Sequence, residues 1–159
     1  MIQKRIAVSW IGHNDLLSVA AEGDEALQQR VLKTLKIHRS IPLRRQDGPI
    51  KSLLAHETFD EVHLLGDYPK WLRQMYLEWL NQDVAVHHVT LTDPSDYGQI
   101  LTAVEGVLEK LPRDSAIEYS FFLTPGTPSM AATWILVGKS RYDAVFWQTF
   151  EGKATRSEI

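Results

Sequence analysis

Short apolar strands alternate with helical segments along this chain, which predicts an α/β fold. The expected form is a three-layer, Rossmann-like domain around a mainly parallel sheet of about five or six strands. Three observations carry the prediction. β-rich segments recur with amphipathic stretches between them. The connections are short. Right-handed crossovers then place helices on both faces of the sheet.

Ile6-Ala7-Val8-Ser9-Trp10-Ile11 is apolar and ends in the turn formers Gly12-His13-Asn14-Asp15, which predicts the first strand. Ile50, Leu53 and Leu54 follow Asp47-Gly48-Pro49 at helical spacing, with the proline in the first turn. Glu61 to Leu65 reads as a second strand closed by Gly66-Asp67. Pro69 then opens a helix striped by Trp71, Leu72, Met75, Tyr76, Trp79 and Leu80. Val84 to Leu91 is the expected third strand. Thr92-Asp93-Pro94-Ser95-Asp96 caps a helix whose apolar face includes Ile100, Val104, Val107 and Leu108. Ile117 to Leu123 reads as the fourth strand, Pro128 to about Ser140 as a helix and Asp143 to Phe150 as the fifth strand.

Residues 1–150 are thus expected to form the domain, with residues 16–47 as an elaborated first crossover or insertion holding one helix around Leu27, Val31, Leu32 and Leu35. Residues 151–159 are polar and read as the start of a linker.

The chain has 159 residues, 44% hydrophobic and 23% charged, with a formal charge of −3. This is the composition of a folded domain with one core. With no cysteine, disulfides, thiolate metal sites and a cysteine nucleophile are excluded. No apolar run is long enough to cross a bilayer and no signal peptide precedes the first strand, so a cytoplasmic location and no membrane partner are expected. Between Arg30 and Lys51, seven lysines and arginines stand against one acid, Asp47. Such a stretch is either a solvated face or a landing strip for a polyanion such as RNA.

In open α/β sheets, ligands bind beyond the carboxyl ends of the strands where strand order reverses. For an order 3-2-1-4-5, that crevice lies between Gly12-His13-Asn14-Asp15 and Thr124-Pro125-Gly126-Thr127. Thr127 suits an N-cap and Pro128 the first helical position. The helix start offers free amides, and the Thr124, Thr127 and Ser129 hydroxyls are candidate further donors to an anion. An equally simple reading is a tight turn whose cap serves only its own helix. His13 at the rim is either a phosphate donor or acid–base group, or a loop histidine without a task. Asp67 either accepts a ribose hydroxyl or caps the Pro69 helix.

Other motifs are excluded. Gly138-Lys139-Ser140 lacks the first glycine of a P-loop and ends a helix. No GxGxxG, GxSxG or HExxH occurs, so neither a dinucleotide cofactor nor a metal is expected. His87 and His88 point to opposite faces of a strand and cannot chelate one ion. His38, His56 and His63 read as isolated surface or edge residues.

Leu123-Thr124-Pro125-Gly126-Thr127-Pro128-Ser129-Met130, continuing through Ala131-Ala132-Thr133-Trp134-Ile135-Leu136, resembles the signature of CARF domains, the Rossmann-like sensors associated with CRISPR systems. The nearest variety is the N-terminal sensor of RtcR-like, sigma-54-dependent transcriptional activators. Trp10 to Asp15, Asp60 to Leu65 with Tyr68-Pro69, and Leu91 to Pro94 support the resemblance. It implies a homodimeric, regulatory sensor of an RNA-derived ligand, either a cyclic oligoadenylate or RNA ending in a cyclic phosphate. It also implies a AAA+ ATPase and a helix-turn-helix domain as partners in the full-length protein. The candidate ligand-binding residues at and near the crevice are Gly12, His13, Asn14, Asp67, Thr124, Gly126, Thr127 and Ser129. Where the commoner CARF motif carries a lysine, this chain has Pro128, so that fixed charge is absent. The alternatives are a metal-free nuclease using Thr127, Ser129 and His13, and a pure dimerisation or docking module.

Overall fold

The computed structural model describes all 159 residues. Six strands form one sheet in the order β3-β2-β1-β4-β5-β6: β1 (Lys4–Trp10), β2 (Glu61–Gly66), β3 (Ala85–His88), β4 (Ile117–Phe122), β5 (Val145–Phe150) and β6 (Lys153–Ser157). The first five run parallel and β6 returns antiparallel to β5. The helices are α1 (His13–Ala21), α2 (Glu25–Leu35), α3 (Pro49–His56), α4 (Lys70–Leu80), α5 (Tyr97–Leu108) and α6 (Pro128–Val137), the last continuing as a π-helical turn over Gly138–Tyr142. No helix is long and apolar enough to cross a membrane.

Strand alternation divides the interior into two cores. Tyr119, Phe121 and Leu123 point to one face, where Ile100 and Val104 of α5 and Met130, Trp134 and Val137 of α6 meet them. Phe122 turns to the other face, which α1, α2, α3 and α4 cover with Leu16, Leu17, Val31, Leu32, Ile50, Leu72 and Tyr76. The three-layer, mainly parallel architecture therefore matches the expectation.

Several details differ. The first crossover is elaborated, but it holds two helices before α3, not one. Residues 15–21 of α1 are all buried, so that helix has no polar phase to reveal it in the sequence. β3 stops at His88, and residues 89–96 form a loop. Residues 153–157, read as linker, instead pair with β5 across a turn in which Glu151 and Gly152 take φ of 49° and 75°. An edge strand needs only backbone pairing, so a polar segment suffices. The stretch Ala131 to Val137 of α6 is apolar nearly all round and reads as buried, yet Leu136 is 61% exposed within this chain.

β1 and β4 are neighbours at the centre, with the chain winding outward from them in opposite directions. The strand-order reversal thus falls between their carboxyl ends, where the two predicted loops meet.

Candidate functional site

The tips of β1 and β4 touch. A Cβ built on Gly12 would lie 2.7 Å from the Gly126 amide nitrogen and 3.3 Å from Pro125 Cα, so only a glycine admits this approach. Gly126 has φ of 91°, the left-handed region a glycine enters freely. Thr127 caps α6, its Oγ1 accepting from the Met130 amide at 3.3 Å, with Pro128 in the first turn. The His13, Asn14 and Gly126 amides donate to no group within the chain, and both helix starts border one small cavity. It measures about 200 Å³ and is lined by Gly12, His13, Asn14, Thr124, Gly126 and Thr127, among others.

Beneath it lies a group that sequence reasoning passed over as a turn former. Asp15 is fully buried and bridges two elements: one oxygen accepts from the Gly12 amide at 2.9 Å, the other from the Ile50 amide at 2.9 Å. Burial pushes its carboxyl up to about 7, against the opposing pull of the two amides. An acid three residues after a cap glycine is the local signal that marked it. Tyr68, also missed, donates from its hydroxyl to the Ile11 carbonyl at 3.1 Å, and burial keeps that phenol protonated.

The predicted residues divide into two groups. Gly12, His13, Asn14, Thr124, Gly126 and Thr127 come together around the cavity. Ser129 and Asp67 do not line it. The Ser129 hydroxyl donates to the Ser95 carbonyl at 2.8 Å, and Thr127 Oγ1 donates to the Pro94 carbonyl at 2.8 Å. These two hydroxyls, expected to face an anion, instead pin the loop after β3 against α6. Thr124 Oγ1 accepts from the Thr149 amide at 2.9 Å and so fastens β4 to β5. Asp67 accepts from the Leu91 amide at 2.8 Å through one carboxylate oxygen and does not cap α4, which has no side-chain cap. The cradle at the cavity is thus made of backbone amides more than hydroxyls.

His13 is exposed at the rim, its ring centroid 6.2 Å from that of Tyr68. Partial burial, and then the charge of Arg39, hold its imidazole below the usual histidine value. It is therefore neutral at pH 7 and can donate or accept one hydrogen bond. His63, read as isolated, is buried: its Nδ1 lies 3.0 Å from Nε2 of His87 and its Nε2 2.9 Å from Glu61. The parallel pairing of β2 with β3 puts these side chains on one face, a partnership no local pattern encodes.

No protein-family model matches this chain, and no curated protein matches it in sequence. Solved structures do resemble it in shape. Csm6 from Enterococcus italicus, bound to cyclic hexa-2′-fluoro-hexa-dAMP, superposes with a TM-score of 0.65 at 14% identity, over 99% of this chain and 42% of its own. Protein VC1899 from Vibrio cholerae superposes with a TM-score of 0.57 at 14% identity, over 92% of this chain and 30% of its own. This chain shares their Rossmann-like α/β fold. The chain spans less than half the length of either protein, and at this identity the likeness extends to architecture alone.

Proposed function

We propose that this CARF-like domain senses an RNA-derived, phosphorylated ligand, a cyclic oligoadenylate or an RNA ending in a 2′,3′-cyclic phosphate, held at the crevice between β1 and β4. The observation that carries the reading is the contact of Gly12 with Gly126, which converges two helix starts on one cavity. The free amides of His13, Asn14 and Gly126 and two helix dipoles there favour a phosphate. The Csm6 structure that shares this fold was obtained with a cyclic oligonucleotide analogue, which supports the ligand class.

Sensing is favoured over cleavage by the state of the hydroxyls. Thr127 and Ser129 donate to the carbonyls of Pro94 and Ser95 instead of to a general base. Those same bonds tie the cradle to the loop before α5, so a ligand that moves α6 also moves that loop. A signal then passes only if the ligand prefers one arrangement of the domain over another. In the full-length protein the reading places this domain, as a homodimer, ahead of a AAA+ ATPase and a helix-turn-helix domain in a sigma-54-dependent activator.

Thermal and chemical denaturation with cyclic tetraadenylate, cyclic hexaadenylate and a short RNA bearing a 2′,3′-cyclic phosphate tests the reading. Ligand at about 100 times its Kd stabilises the fold by about 2.7 kcal/mol. Asn14→Ala, at an exposed cavity residue, should weaken that effect without unfolding the protein. If none of the three RNAs shifts stability, the sensor reading is wrong. If Asn14→Ala leaves binding intact, the crevice assignment loses its support.

A further inference from the structure

The proposed crevice contains no lysine or arginine among its lining residues and has an acid, Asp15, in its floor. Its volume of about 200 Å³ is also below the roughly 300–1,000 Å³ of ordinary small-molecule sites. It accommodates one phosphate group more readily than a whole nucleotide. The charge and the space lie next door.

Between α2 and α3 the chain runs as a strap over residues 37–48. Ile37, Ile41 and Leu43 pack it onto the core, and the Leu43 amide donates to Gln28 Oε1 at 2.8 Å. The intervening cations face outward: Arg39, Arg44 and Arg45 are exposed, and none has an ion-pair partner. Other cations of the basic stretch are engaged, Arg30 over the Trp71 ring at 3.9 Å and Lys51 over Trp79 at 4.3 Å. Arg39 is near enough to His13 for its charge to act on that ring. Arg44 and Arg45 border a basin of about 760 Å³ between the strap and the β5–β6 turn. Basin and crevice adjoin, sharing Asn14, Pro49 and Thr124. Asp47 and Glu151 also line the basin, but neither lies within ion-pair distance of the arginines.

We propose that the strap is the second half of the site: the ligand carries at least two phosphates, one at the crevice amides and the next in the basin, held by Arg44 and Arg45. This inference rests on the sensor reading and adds to it a second phosphate subsite outside the crevice. A mononucleotide reaches only the crevice. Arginine suits the task because its planar fork meets two phosphate oxygens at once.

The test compares binding of AMP, the dinucleotide pApA and cyclic hexaadenylate by the wild-type chain and by Arg44→Gln/Arg45→Gln, over a range of salt concentrations. Both side chains are exposed loop residues, and matched melting curves verify that the variant folds. Charge-assisted bonds of this kind predict affinity weaker by roughly tenfold per arginine for pApA and cyclic hexaadenylate, with AMP unaffected. The slope of log K against log salt should flatten by about 0.7 for each phosphate no longer neutralised. Equal affinity of variant and wild type for the longer ligands overturns the strap proposal but leaves the crevice reading standing. An equal weakening for AMP also overturns it, because the arginines would then serve the first phosphate. If no oligonucleotide binds the wild-type chain, both readings fall together.

Discussion

Replacing Asp15 by asparagine removes a titrating group from the floor of the crevice while nearly preserving its shape. In the wild-type protein the buried carboxyl titrates at about 7, against 3.8 as its ordinary value. Between those values the unfolded chain gives up the proton and the folded chain keeps it. The folded state therefore binds more protons, and stability falls as pH rises. The stability is fully present below pH 3.8 and is lost as pH passes 7. Roughly three pH units at about 1.4 kcal/mol each amount to about 4 kcal/mol, the larger part of it between pH 5 and pH 8. Asparagine does not titrate. It also accepts only one of the two amide bonds from Gly12 and Ile50, because its NH₂ must face the other donor, so it should be less stable than wild type at pH 5. Urea unfolding followed by tryptophan fluorescence at both pH values measures the difference, since Trp10 and Trp134 are buried. The gap between wild type and Asp15→Asn should narrow by roughly 2–3 kcal/mol from pH 5 to pH 8. His13 and His87 are held below their ordinary value, so their contribution acts in the opposite direction, but it is common to both proteins and cancels. A gap that stays constant over this range would show that Asp15 does not hold its proton in the folded state, and the argument for its burial would fail.

Other perturbations probe neighbouring parts of the structure. Gly12→Ala forces a methyl onto the Gly126 amide and should destabilise the fold by about 1–3 kcal/mol as judged by denaturation, while weakening binding of cyclic hexaadenylate. An unchanged midpoint would refute the close approach. Tyr76→Phe removes a buried hydroxyl that has no protein partner, so the variant should equal or exceed wild-type stability by up to about 1 kcal/mol; a clear drop would reveal a bond to that oxygen. Thr127→Val deletes both the α6 cap and the tie to Pro94, and should cost about 1–2 kcal/mol with faster amide exchange in residues 92–96. A phosphate above Asp15 favours its protonated form, so calorimetry at pH 7 should register proton uptake on binding, absent in Asp15→Asn.

The strand–helix alternation, the central position of the fourth strand and the cap at Thr127 were all legible along the chain. Each depends on residues within a few positions of one another: Tyr119 to Leu123 form a continuous apolar run, and Gly126-Thr127-Pro128 is a local turn whose φ values and first-turn geometry its own residue types set. The meeting of the two loops followed from the strand order, itself a consequence of crossover handedness. Tertiary structure alone decided what each side chain touches. Thr127 and Ser129 bond carbonyls 33 and 34 residues away, and Asp67 binds an amide 24 residues away. His63 finds His87 only through the register of two strands, and Arg44 and Arg45 come to border the basin beside the crevice only once Ile37, Ile41 and Leu43 are packed. Helix α1 and strand β6 were hidden for opposite reasons, one buried on every side and the other an edge that needs no apolar face. Periodicity reports which face of an element is dry, and it carries no information about partners that folding brings from a distance.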